Sequence, residues 1–179
     1  QIDFIIALSK SIKEIYGEYL GPQQRISRVT NMIDPNVTPE SVEYDLQYPA
    51  RILYVGGLDS HKGVQYLIRA VEEVDVPIKV RVVGSGENLV ELRNLVERRE
   101  VSETVDLCGY VPYSRISEHY NWGDIFVHPG TWPEPLNRTL LEAMQHGLVA
   151  VVTDRGGPPE IVHDENLIVQ PSSPTSIVE

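Results

Sequence analysis

The stretch Ile52-Leu53-Tyr54-Val55-Gly56-Gly57-Leu58-Asp59-Ser60-His61-Lys62-Gly63 joins an apolar, strand-like run to a glycine-rich turn and then to a helical pattern. From Gly63 to Val74 the residues Val64, Leu67, Ile68 and Val71 recur at i, i+3, i+4 and i+7, the spacing that gives a helix one buried face. An apolar run without polar alternation suits a strand covered on both sides. The same succession repeats along the chain. Further strand candidates are Ile78–Val83, Thr104–Cys108, Asp124–His128, Leu148–Thr153 and Leu167–Val169, and Glu87–Arg99 carries a second helical stripe at Leu89, Leu92 and Val96. Strand then helix, repeated, predicts parallel strands joined by right-handed crossovers. The expected fold class is therefore α/β, an open, doubly wound, Rossmann-like parallel sheet of about six strands with helices on both faces.

Outward from that core the pattern changes. Phe4–Leu8 reads as a strand, Ser9 as a helix cap, Ser11–Leu20 as a helix closed by Gly21-Pro22, and Ile26–Thr30 as a short strand. Residues 34–48 contain Pro35 and Pro39 and little apolar pattern, the composition of a linker. Three parts follow: a terminal βα segment at 1–33, the linker at 34–48 and the main domain at 49–179. The chain opens on Gln1 rather than Met, which suits a piece of a longer protein.

Composition narrows the function classes. Fifteen Lys plus Arg against 26 Asp plus Glu give a formal net charge of -11 over 179 residues, which opposes binding to a nucleic-acid polymer. A small anion in a locally basic pocket stays open. Cys108 is the single cysteine and lies in an apolar run, so it reads as a buried thiol rather than a nucleophile. The five histidines lack zinc-ligand spacing, so no metal is expected. No apolar run approaches the roughly 20 residues that span a bilayer. With no basic flank at the start, the expected location is cytoplasmic.

In an open α/β sheet ligands bind beyond the carboxyl ends of the strands, so the loops that follow strands carry the search. Gly56–Gly63 offers close backbone approach, a helix start and the charge of Lys62, which suits a diphosphate; a purely steric turn is the alternative. Gly84-Ser85-Gly86-Glu87 begins like a dinucleotide fingerprint, but Leu89 stands where the third glycine belongs, which counts against NAD or FAD and favours a simple turn with a cap. The third loop is Trp132-Pro133-Glu134-Pro135-Leu136-Asn137-Arg138-Thr139-Leu140-Leu141-Glu142. Glu134 precedes a proline and so lies outside the helix, whereas Glu142 falls in its first two turns. Two carboxylates then bracket a helix start, an arrangement for a ligand with both hydroxyls and phosphate. The competing reading is a capping box, Thr139-Leu140-Leu141-Glu142, in which Glu142 only satisfies the cap. A helix starting at Asn137 has the better length and favours the ligand. The fourth loop, Thr153-Asp154-Arg155-Gly156-Gly157-Pro158-Pro159-Glu160, serves a ligand or only geometry. The two tryptophans read as packing residues; Tyr110, just after a strand and Gly109, is the aromatic to watch.

Taken in order, these residues resemble the GT-B glycosyltransferases of the large "group 1" type, which move a sugar from a nucleotide-sugar donor with retention of anomeric configuration. The resemblance is carried by Tyr54-Val55-Gly56-Gly57-Leu58 with His61-Lys62-Gly63, Val83-Gly84-Ser85-Gly86, Gly109-Tyr110-Val111-Pro112 and Asp124-Ile125-Phe126-Val127-His128-Pro129. Most specific are Glu134, seven intervening residues, Glu142-Ala143-Met144, then Gly147 and Thr153-Asp154-Arg155-Gly156-Gly157 with Pro159-Glu160. Residues 1–33 similarly resemble the end of that family's N-terminal domain, with Ala7-Leu8-Ser9 and Asn31-Met32-Ile33-Asp34 before the linker.

The resemblance implies that 49–179 binds the donor, a nucleotide-sugar such as GDP-mannose, UDP-glucose or ADP-glucose, without cofactor or metal. It places Lys62 on the diphosphate and Glu134 on the hydroxyls of the transferred sugar, both as catalytic groups, and Gly57 in the turn beside the donor. Backbone amides at Leu136 and Asn137 would hold sugar or phosphate, Glu142 the ribose, and Tyr110 with Val111 would border the base. Two departures stand out: Gly57 replaces the usual Arg, with Arg155 as a substitute cation, and Asn137 replaces the usual Gly. The acceptor would sit on an N-terminal domain of which only the last βα unit is present, so the chain should bind donor but transfer little sugar alone. The full-length protein could lie peripheral to a membrane. A GT-B-fold nucleotide-sugar epimerase and a non-catalytic nucleotide-binding domain are the competing functions.

Overall fold

The computed structural model describes residues 4–21, 25–29 and 47–179. A small unit comes first: strand β1 (Ile5–Ala7), helix α1 (Lys10–Leu20) and strand β2 (Ile26–Arg28), with β1 and β2 paired in parallel. Ser9 caps α1 from an extended backbone, its Oγ accepting the Ile12 N–H at 3.3 Å, as the sequence predicts. Most of the expected linker, together with Asn31 to Asp34, Thr30 and Pro22, lies outside the described residues.

The main domain is a six-stranded sheet of β3 (Ala50–Val55), β4 (Ile78–Val83), β5 (Val105–Gly109), β6 (Ile125–His128), β7 (Val149–Thr153) and β8 (Ile168–Val169). Every adjacent pair is parallel, and the order is β5-β4-β3-β6-β7-β8. Counted from β3 this is the doubly wound order, with the winding reversing between β3 and β6. A crevice therefore opens beyond the carboxyl ends of those two strands.

Alternate residues of each strand serve opposite faces. Tyr54, Val80, Val82 and Val127 join helices α2 (Val64–Ala70) and α3 (Leu89–Arg98) on one side. Leu53, Val55, Phe126 and Val152 pack with Tyr120 of helix α4 (Ile116–Tyr120) and with Leu140 and Ala143 of helix α5 (Arg138–Gln145) on the other. Leu53, Phe126 and Leu140 are wholly buried. Each such side chain contributes about 1.5–3 kcal/mol of hydrophobic stabilisation. The chain closes with helix α6 (Pro174–Val178), which returns against α2.

The predicted helix Gly63–Val74 is α-helical only to Ala70 and tightens to a 3-10 turn over Val71–Glu73, a common way for a helix to close its last turn. Gly63 has a left-handed backbone (φ 76°), and a side chain there would run into the Pro129 carbonyl; glycine lets the loops after β3 and β6 touch. Two packing expectations are corrected. Trp132 is 64% exposed in the loop beyond β6, and Cys108 is only half-buried because β5 is an edge strand. Burial first, and then Asp106, whose carboxylate lies 3.4 Å from the sulfur, push the Cys108 thiol up to about 12, so it stays protonated.

Candidate functional site

The crevice holds a cavity of about 230 Å³. From β3 the chain enters Gly56-Gly57, and the Tyr54 hydroxyl donates to the Gly57 carbonyl at 2.6 Å, fixing the turn. Burial, aided by Glu134 and Asp59, raises the Tyr54 phenol well above its ordinary value, so it remains a donor. A 3-10 turn, Ser60–Lys62, then delivers Lys62 to the cavity wall. Its Nζ lies 2.6 Å from Glu134 Oε2, and both side chains keep about a quarter of their surface, 22% and 23%, open to solvent. The pair is charge-matched yet reachable.

Glu134 comes from the loop between β6 and α5, as its place before Pro135 requires. Helix α5 then begins at the floor. Asn137 is its cap, with Oδ1 accepting from the Leu140 N–H at 3.1 Å and lying 2.8 Å from the Thr139 hydroxyl. The Asn137 amide nitrogen sits 2.7 Å from His128 Nδ1. His128, 3% exposed at the end of β6, is lowered to about 4 by burial, against an upward pull from Glu134 that exceeds the further lowering by Lys62. It is thus neutral near pH 7, accepts from Asn137 through Nδ1 and carries its hydrogen on Nε2.

A second cavity, about 310 Å³, adjoins the first and shares Val55, Arg138 and Thr139 with it. Its walls are mostly apolar, from Val55, Val111 and Ile116, with the 73% exposed ring of Tyr110 at its edge. Glu142 faces this space from α5. Its Oε2 accepts from the Tyr120 hydroxyl at 2.8 Å, and its Oε1 accepts from Arg138 Nε at 3.0 Å and from the Tyr113 hydroxyl at 3.3 Å. The capping box is therefore absent: Asn137 is the cap, and Glu142 is spent on side chains that border a cleft. The Arg138 guanidinium lies 5.3 Å from the Tyr113 ring centroid, at the junction of the two cavities.

The family model described as glycosyl transferases group 1 matches residues 45–179. The chain belongs to that family. It is 31% identical, over 97% of its length, to an uncharacterized glycosyltransferase of Methanocaldococcus jannaschii, of which it covers 48%. It is 27% identical, over 99% of its length, to a component of the phosphatidylinositol N-acetylglucosaminyltransferase of Arabidopsis thaliana, of which it covers 40%. The chain thus spans about half, or less, of these relatives. Among solved structures it is similar to Anabaena HepE, crystallised in complex with UDP-glucose, with a TM-score of 0.85 at 21% identity over 98% of this chain and 52% of that one. Sucrose-phosphate synthase from Thermosynechococcus elongatus gives 0.85 at 19% identity, over 99% of this chain and 48% of that one. These neighbours share the GT-B Rossmann-like fold seen here.

Within this group 1 chain, Gly57, Lys62, Glu134, Leu136 and Asn137 line the first cavity, and Tyr110, Val111 and Glu142 line the second. The structure brings all eight to one continuous cleft. Arg155 is a correction: it lies in a separate groove beside Lys10 and Asp154, and its guanidinium turns back to the Asp154 carbonyl. Arg138 is the cation that reaches the cleft instead. Sequence reasoning also passed over Tyr54, His128 and Thr139. Tyr54 and His128 sit near the carboxyl ends of β3 and β6, where the strand-end rule points. Among the described residues no group of three His, Cys, Asp or Glu side chains is placed to hold a metal, and no helix is long and apolar enough to cross a membrane.

Proposed function

We propose that this chain forms the donor half of a retaining, nucleotide-sugar-dependent hexosyltransferase. The observation that carries the reading is the pair of adjoining cavities, the first more polar than the second, each with one carboxylate, meeting over the start of α5. The sugar and diphosphate take the first cavity and the nucleoside the second. Glu134 accepts the hydroxyls of the transferred sugar, Glu142 those of the ribose, and Tyr110 with Val111 border the base. Solved relatives in complex with UDP or UDP-glucose support this class of ligand.

On binding, Lys62 exchanges Glu134 for the diphosphate, while Glu134 exchanges Lys62 for sugar hydroxyls. As the bond from sugar to diphosphate breaks, negative charge grows on the leaving phosphate. Lys62, Arg138 and the N–H groups around Leu136 and Asn137 stabilise it where a cation would otherwise be needed. Each such charge-assisted bond supplies about 1.5–3 kcal/mol. No cofactor enters this scheme. Acceptor recognition is assigned to a preceding domain, in keeping with relatives about twice as long, so the 179-residue chain binds donor and transfers little sugar.

Thermal unfolding of the chain with UDP, GDP, ADP and their sugar conjugates tests the reading. One nucleotide family at ~100 times its dissociation constant should stabilise the fold by roughly 2.7 kcal/mol. Glu142→Ala should lose most of that response; a variant that keeps it whole removes Glu142 from the site.

A further inference from the structure

The turn that follows β7 touches two parts of the molecule at once. On one side, Glu160 Oε2 accepts the Lys10 N–H at 2.9 Å and Oε1 accepts the Ser11 N–H at 2.7 Å, so both oxygens close the first turn of α1. Helix α1 has no acidic residue of its own in that turn, and Glu160 supplies the missing charge from 150 residues away. Arg28, at the end of β2, lies 3.5 Å from the same carboxylate. On the other side, the Gly157 N–H donates to the Glu134 carbonyl at 2.8 Å. Gly156 is left-handed (φ 71°), and a side chain there would collide with the backbone of Pro133 and Glu134. A side chain at Gly157 would overlap the Pro135 carbonyl and press on Ser9 Cβ. Five residues thus fill the gap between α1 and the Glu134 loop with no slack.

We infer that Glu160 is a positioning residue: by fastening α1 to the 156–160 turn, it sets the Glu134 loop, and with it the carboxylate that meets the sugar. The inference rests on the proposed role of Glu134. Glu134 stands between two prolines in a loop without regular structure, so its place depends on what grips it from outside. Those grips are Gly157 on its carbonyl and Lys62 on its carboxylate. The nucleoside cavity has no such dependence, because Glu142 belongs to α5 itself, and its partners Tyr113 and Tyr120 belong to the 3-10 turn Tyr113–Arg115 and to α4. Docking of the β1-α1-β2 unit therefore bears on sugar recognition and leaves nucleotide recognition alone.

The test uses the 179-residue chain, calorimetry with UDP and UDP-glucose, GDP and GDP-mannose, and ADP and ADP-glucose, and amide hydrogen exchange without ligand. Glu160→Ala should weaken the sugar conjugate about tenfold, a typical coupling between linked sites, while the nucleoside diphosphate changes less than twofold. Lys10→Pro attacks the same contact from the other side: proline is tolerated at the first helical position, after an extended Ser9, and removes the N–H that Glu160 accepts. Both variants should speed exchange at the Gly157 amide while the Ala143 amide, inside α5, keeps its wild-type rate. Unchanged Gly157 exchange, or an equal loss for conjugate and free diphosphate, overturns the inference. A wild-type chain that binds none of the six compounds overturns the role of Glu134 instead, and the exchange rates then still decide whether Glu160 holds the loop.

Discussion

The two carboxylates of the cleft are separated by seven residues and held in opposite ways. Glu142 is a helix residue whose oxygens are fixed by a buried phenol, a guanidinium and a second phenol, and burial with the Glu142 charge pushes the Tyr120 phenol up so that it only donates. Glu134 is a loop residue held by one ion pair and one borrowed backbone contact. On the proposed reading Glu142 meets the ribose, which is common to every nucleotide-sugar, and a rigid partner on a helix suits it. On the same reading Glu134 meets the transferred sugar, which is gripped and released at each turnover, and a loop carboxylate that can trade a lysine for hydroxyls suits that. Difference in support would then follow difference in task.

Removing what both regions share has the largest effect. Leu140 is wholly buried on the inner face of α5, whose first turn borders both cavities, and Leu140→Ala should cost about 2–5 kcal/mol of stability in urea unfolding. At permissive temperature it should weaken nucleotide and sugar recognition together. A change aimed at the first cavity comes next. Lys62→Ala removes the proposed phosphate partner and leaves Glu134 without its cation, so affinity for the nucleoside diphosphate, by calorimetry, should fall by an amount equivalent to about 1.5–3 kcal/mol. The reading of Glu142 predicts that the same variant keeps the Tyr120–Glu142 contact intact.

A pH dependence probes the first cavity through its buried histidine. His128 has a folded value near 4, below its ordinary 6.5, so the unfolded chain binds more protons between those limits. Stability should therefore fall as pH drops from about 6.5 towards 4, and His128→Gln should flatten that slope in denaturation curves measured across the range. His119 and His146, also lowered mainly by burial, leave a shallower slope of the same sign. A variant with the full wild-type slope would show that His128 is not the buried neutral group described.

Much of the architecture is readable because parallel strands covered on both faces leave unbroken apolar runs, as at Ile52–Val55 and Ile78–Val83, and because Val64, Leu67 and Ile68 mark one helix face. The candidate site is readable where a residue has a local physical meaning: a Glu before Pro135, a Lys at a glycine turn, a Glu two turns into a helix. What escapes depends on contacts far apart in the chain. Tyr113 and Tyr120 meet Glu142 across 29 and 22 residues, and Glu160 meets α1 across 149 and 150, which no local pattern encodes. Nothing local separates Arg155 from Arg138 as the replacement for the cation missing at Gly57, because both neighbour glycine or a helix start. Only the fold shows that Arg155 turns to its own Asp154 carbonyl while Arg138 overhangs the cleft. Asn137, a departure from the family pattern, turns out to be both helix cap and partner of His128.

The most direct measurement is a crystal structure of this chain with the nucleotide-sugar that raises its melting temperature most. The account predicts sugar hydroxyls within hydrogen-bond distance of Glu134, ribose hydroxyls on Glu142, and the diphosphate between Lys62 and the start of α5 with the Lys62–Glu134 pair opened. A donor bound elsewhere, or one seated in the cleft with the pair still closed and neither carboxylate touched, would contradict it.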